Sequence, residues 1–175
     1  MAQGGMAAVM TTGDSFASHI KDTIAVGMGL CDEELVARVV MGGPAAVEEL
    51  LALGAEFDRT SEGGLDCSRE GGHKHARVVH AHGDATGREI QRVLTNAVTG
   101  HDLITTFTNT FALDIVTVEG EAYGVVAKAS SGNLVLFSSP NIILATGGGG
   151  QLYRETTNPT IATADGVAIA FRAGA

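Results

Sequence analysis

The chain has 175 residues, 45% of them hydrophobic and 18% charged, with a formal net charge of −9. This balance describes a globular domain with a real core and excludes a disordered tail. It also excludes nucleic acid as an expected partner, because phosphate binding draws on clustered Lys and Arg, and the eleven basic residues are scattered.

No stretch approaches the ~18 apolar residues of a membrane span, and no basic leader precedes an apolar core at the start, so a cytoplasmic setting is expected. Cys31 and Cys67 belong to no CxxC pattern. They read as free thiols in a reducing compartment, with a single disulfide as the open alternative. Glycine is frequent, 24 residues, which suits backbone that turns tightly or approaches a ligand closely.

In chain order, residues 1–10 are small and apolar around Gly4-Gly5. Asp14 or Ser15 can cap a helix with Phe16, Ile20, Ile24 and Ala25 on one face and His19, Lys21 and Asp22 turned elsewhere; Gly27 and Gly29 end it. Asp32 caps a second helix, with Glu33 and Glu34 in the favoured first turn and Leu35, Val36, Val39 and Val40 as its apolar face. Gly42-Gly43-Pro44 reads as a break, with Pro44 opening a third helix that carries Val47, Leu50 and Leu51 and closes at Gly54. Residues 55–85 hold no sustained period, and Ser61 to Gly64 is a turn. Helical pattern returns at Thr86 or Gly87, with Ile90, Val93, Leu94 and Ala97 inward and Glu89 and Arg92 outward, and stops at Gly100.

Beyond His101 the segments Ile104–Thr108, Ala112–Val118, Ala122–Ala127 and Leu134–Ser138, parted by Gly120, Gly132 and Asn133, read as an antiparallel meander. Asn141–Ala145 is apolar throughout and fits a strand buried on both faces. It runs into Thr146 and the glycines Gly147 to Gly150, and a last helical stretch spans Gly166 to Ala173. The expected fold class is α/β, or an α+β mixture. Both ends look cut, and residues 1–175 are expected to form a partial domain.

Three places can carry chemistry. A strand ending in glycines can present backbone N–H groups to a phosphate or a cofactor ring, although Leu152 leaves GxGxxG incomplete; a tight packing turn is the plain alternative. Four of the six histidines, His73, His75, His80 and His82, fall within ten residues. With no Cys among them, an anion pocket using Arg69, His73 and Arg77 explains them better than a metal site, and no metal is expected. Glu70, inside that cationic loop, can hold an ammonium group or simply pair with a neighbouring Arg. Asp165 can cap the last helix or reach a ribose hydroxyl.

Ala2 to Val9 (AQGGMAAV), Ser68 to Glu89 (SREGGHKHARVVHAHGDATGRE) and Ala145 to Pro159 (ATGGGGQLYRETTNP) together resemble the L-aspartate oxidases, flavoproteins related to succinate dehydrogenase and fumarate reductase. The likeness runs along the whole chain. The middle motif discriminates, since the succinate dehydrogenases typically carry Arg where Ala85 stands. The resemblance implies an incomplete FAD-binding, Rossmann-like domain with helices and a small β-meander. It implies oxidation of L-aspartate to iminoaspartate by hydride transfer to FAD, with oxygen or fumarate as acceptor and quinolinate synthase as the next enzyme in NAD biosynthesis.

By the same resemblance Ala2, Gln3, Gly4 and Gly5 lie along the flavin, Thr146, Gly147, Gly148 and Asp165 contact the cofactor, and Glu70 selects the amino-acid substrate. Ala164 departs from the family's Gly before the Asp. The GxGxxG strand-turn, the acid/base Arg and the substrate clamps of the capping domain are not matched within 1–175, so this polypeptide alone is expected to bind FAD weakly or not at all and to be inactive. A succinate dehydrogenase-type flavoprotein, or a truncated product without activity, are the alternatives.

Overall fold

A computed structural model describes residues 4–175; Ala2 and Gln3 lie outside the described residues. The chain divides into two compact units, Met1–Ile104 and Thr105–Ala175.

In the first unit the order is β1 (Met6–Ala7), α1 (Phe16–Val26), α2 (Glu33–Ala52), β2 (Cys67–Ser68), β3 (Val78–Val79) and α3 (Thr86–Thr99). The helix starts follow their caps. The Ser15 hydroxyl accepts from the Ser18 N–H at 3.2 Å and the Asp32 carboxylate from the Leu35 N–H at 3.0 Å, each satisfying a first-turn donor. β3 is the middle strand of a small antiparallel sheet, with Met6 opposite Val79 and Cys67 opposite Val79. The core gathers Ala8, Val47, Ala55, Phe57, Val79, Ala81 and Val93.

Three expectations need correction here. Helix α2 is continuous through Pro44 rather than broken at Gly42-Gly43. A proline inside a helix forfeits one hydrogen bond, at a cost of about 3 kcal/mol, and packing offsets it: Val40 and Val47, seven residues apart on one face, are both buried, and Gly43 lies against Ala8. Helix α1 turns its polar side inward. His19 and Asp22 are buried while Phe16 is partly exposed and Ala25 exposed, because Asp22 meets a buried Arg77. On α3 only Val93 of the apolar set is fully buried; Leu94 and Ala97 are exposed, and Glu89 is buried rather than outward.

The second unit holds β4 (Phe111–Val118), β5 (Glu121–Lys128), β6 (Leu134–Ser138), a 3-10 turn over Gly150–Leu152 and α4 (Asp165–Arg172). The strands form the expected antiparallel meander, order β4-β5-β6. Glu119 and Gly120 both take positive φ, 52° and 85°, as a two-residue hairpin matching strand twist requires. Helix α4 meets β4 where Arg172 Nε donates to Asp114 Oδ2 at 3.0 Å. Ile104–Thr108 is not a strand. Asn141–Ala145 is not a strand either, and Ile143 is 93% exposed. An apolar run becomes a buried strand only when neighbours accept its backbone on both edges, and among the described residues no strand pairs with it.

Candidate functional site

Gly5, His80 and Glu70 are brought together by the register of the three-stranded sheet. Gly5 immediately precedes β1 and His80 immediately follows β3, so the Met6–Val79 pairing sets Gly5 beside His80. Glycine is required by that approach: a Cβ on Gly5 would collide with Val78 and stand 2.7 Å from His80 Cε1. From the other edge Glu70, two residues past β2, reaches His80 with Oε1 3.1 Å from Nε2. Ser68 Oγ lies 2.8 Å from the same nitrogen.

These groups line a cavity of about 320 Å³ whose walls are Asp58, Asp66, Ser68, Glu70, His80 and Gly83. Three carboxylates face one imidazole, so the cavity favours a cation. Asp58 is committed to the fold. Its oxygens accept the Gly83 N–H at 3.1 Å and the His82 N–H at 2.9 Å, and those backbone donors, Gly83 first, hold its carboxyl below the usual range. Glu70 is 49% exposed and the His80 side chain 17%. Asp66 is exposed as well, so these two carboxylates are within reach of an incoming molecule, and Glu70 is the one seated against His80.

The expected anion pocket of Arg69, His73 and Arg77 does not form. Arg77 is 0% exposed and already neutralised: Nε and Nη2 hold both oxygens of Asp14 at 2.7 and 2.8 Å, and Nη1 holds Asp22 Oδ2 at 3.0 Å. The Lys74 N–H, at 2.9 Å, and then Arg77 hold the Asp22 carboxyl below its usual range. Burial raises that of Asp14, but the Arg77 hydrogen bonds, the Ser15 N–H and the nearby positive charge together outweigh it and the net direction is down. Its other two N–H groups face Ser18 Oγ at 3.2 Å and His73 Nδ1 at 3.4 Å, so no donor is left for a substrate. The network instead pins the loop of residues 70–77 to α1, because breaking a buried pair leaves an uncompensated charge. His73 stacks edge-on against His19 at 5.5 Å. Among the described residues no three His, Cys, Asp or Glu converge as metal ligands.

The glycine turn and Asp165 meet within the second unit. Asp165 opens α4, and the next residue, Gly166, lies so close to Thr146 that a Cβ there would overlap its hydroxyl. The Ala164 N–H donates to Gly148 O at 3.2 Å and the Gln151 N–H to Ala162 O at 2.9 Å. Thr163 Oγ1 donates to Asp165 Oδ2. Ala164 itself sits at φ 64°, ψ 20°, in the left-handed region.

The glycines divide into two kinds. Gly5, Gly149, Gly150 and Gly166 are packed, since a Cβ on each would strike a neighbour. Gly4, Gly147 and Gly148 face open space, with nothing within 4 Å of a Cβ, and Gly4 and Gly147 take positive φ, 92° and 75°. Bare, exposed backbone of this kind is what a flat, phosphate-bearing cofactor needs in order to lie close to the chain. Sequence reasoning missed His80 as the hub of the first cluster. It was visible as one histidine among four, but only the register shows which of them faces Glu70.

Mixed α/β architecture, a bare-glycine turn leading to a helix N-terminus and an acidic pocket beside a second glycine pair describe a flavin-nucleotide domain. The family described as an FAD binding domain matches residues 1–175, and the chain belongs to it. The chain is similar to the L-aspartate oxidase of Streptomyces coelicolor, 46% identical over 99% of this chain and 31% of the relative. It is equally similar to the chloroplastic L-aspartate oxidase of Oryza sativa, 46% identical over 99% of this chain and 28% of the relative. Among solved structures it resembles the quinol fumarate reductase of E. coli, with a TM-score of 0.92, 35% identity and coverage of 98% of this chain and 29% of that one. The Sdh1 complex of Mycobacterium smegmatis gives a TM-score of 0.92 at 35% identity, covering 99% and 32%. The chain therefore spans about a third of the length of the curated relatives it matches.

Proposed function

We propose that this domain serves a flavoenzyme that oxidises L-aspartate to iminoaspartate, with oxygen or fumarate as electron acceptor, and supplies quinolinate synthase. FAD provides the hydride-accepting ring. On this reading Ala2, Gln3, Gly4 and Gly5 run along the flavin, and Thr146, Gly147, Gly148 and Asp165 hold its nucleotide portion. Glu70 recognises the substrate ammonium. The two free thiols, Cys31 and Cys67, suit a reducing, cytoplasmic setting.

The observation that carries the reading is the acidic cavity around Glu70. Succinate and aspartate share two carboxylates and differ by one ammonium group. A carboxylate-lined pocket attracts the amine and repels a bare dianion, a discrimination of about 1.5–3 kcal/mol, the scale of one hydrogen bond to a charged group. A succinate dehydrogenase-type enzyme is the second reading, favoured by the fold similarity to fumarate reductase.

Anaerobic mixing of the complete flavoenzyme carrying this sequence with each diacid decides between them. L-aspartate is expected to bleach the oxidised flavin band within the turnover time, while succinate leaves it unchanged. Bleaching by succinate but not by L-aspartate would establish the second reading.

A further inference from the structure

We infer that His80 is a positioning residue for Glu70, fixing the carboxylate that meets the substrate amine. The inference rests on the reading of Glu70 given above. His80 Nε2 stands 3.1 Å from Glu70 Oε1 and 2.8 Å from Ser68 Oγ, whereas its Nδ1 is buried with no hydrogen-bond partner. A proton on Nδ1 would bury an N–H without an acceptor, and in the neutral ring it would also turn the Nε2 lone pair toward a carboxylate oxygen. The neutral Nε2–H tautomer avoids both costs. It donates toward Glu70 and leaves the carboxylate's charge intact for an ammonium group, with Ser68 Oγ sharing the donor.

The ring is held by the sheet, not by the loop. Its residue continues β3, its carbonyl accepts the Asp58 N–H at 2.8 Å, and Gly5 closes over its edge. Glu70 is on a loop and half exposed. Left alone, such a side chain samples several rotamers and must be ordered on binding. The imidazole orders it beforehand, and the same ring touches the Gly4-Gly5 segment assigned to the flavin. The Glu70 carboxylate and the cofactor segment thereby share one rigid reference.

The test uses the complete flavoenzyme with four substitutions: His80→Leu, His80→Gln, His80→Asn and Glu70→Gln. Loss of the donor in His80→Leu is expected to raise KM for L-aspartate about tenfold, the scale of one hydrogen bond, with kcat and the inhibition constant of succinate changed less than about twofold. His80→Gln, whose amide N–H reaches the Nε2 position, restores KM to within about threefold, and His80→Asn, which is too short, does not. KM for L-aspartate and the succinate constant rising together in His80→Leu would overturn the inference and make His80 a packing residue. If His80→Leu fails to retain FAD, equal KM values for the Gln and Asn variants overturn it instead. Glu70→Gln separates the two claims. If it raises KM for L-aspartate while the histidine variants do not, only the inference falls; if it leaves that KM unchanged, the reading of Glu70 falls and the inference with it.

Discussion

Ala164 holds a backbone conformation, φ 64° and ψ 20°, that places its Cβ against the following carbonyl, a strain of about 1–2 kcal/mol for an L-residue. It also blocks Gly149, since a Cβ there would stand 2.8 Å from the Ala164 Cβ. Ala164→Gly relieves the strain but loosens the unfolded chain, so a net gain of up to about 1 kcal/mol is expected, read as a rise in Tm. A fall in Tm would mean that the methyl packs favourably enough to outweigh its strain. At this scale much was legible. The need for glycine at Gly5 was legible as close approach, and the departure at Ala164 was visible as an alanine where the resembled family has glycine. Which glycines serve internal packing was not legible, because the groups they admit, His80 and Val78 for Gly5 and Thr146 for Gly166, are distant in sequence.

Helix α3 shows how one element is fastened. Glu89 Oε1 accepts the Glu56 N–H at 2.7 Å and both its oxygens accept from Arg92, which in turn donates to Gly54 O at 2.8 Å. The Arg92 hydrogen bonds, and then the Glu56 N–H, bring the Glu89 carboxyl down to about 2 from an ordinary 4.5. A carboxyl lowered on folding contributes stability in full above its unfolded value, and that contribution is lost as pH falls through the folded one. Between pH 4.5 and about 2, the Tm of the wild-type protein should therefore drop faster than that of Glu89→Gln, which has no charge to lose. Parallel curves would show that the clasp does not form. Asp14, Asp22 and Asp58 are lowered in the same sense, so the comparison with Glu89→Gln isolates α3. Helix starts were legible because Ser15 and Asp32 cap locally. Facing was less so: periodicity assigns an apolar stripe, but a buried Arg77 drew the polar side of α1 inward, and Arg92 did the same for Glu89. Strands of two residues, such as β1, β2 and β3, are too short to show a period at all.

On the scale of the whole molecule, a small sheet places Gly5, His80 and Glu70 together in one unit, and a glycine turn meets Asp165 in the other. The meander was legible from its alternation and turn residues. Asn141–Ala145 was not, because an apolar run specifies a strand only together with partners, and none is present among the described residues. No helix of the described residues is long and apolar enough to cross a membrane. Amine recognition by the acidic cavity is the claim on which the functional account depends. Its most direct measurement is the ratio of KM for L-aspartate to the inhibition constant of succinate in Glu70→Gln and in the unaltered flavoenzyme. Removing the charge should shift that ratio toward succinate by about tenfold or more, the equivalent of roughly 1.4 kcal/mol. An unchanged ratio, with FAD fully bound in both proteins, would contradict it.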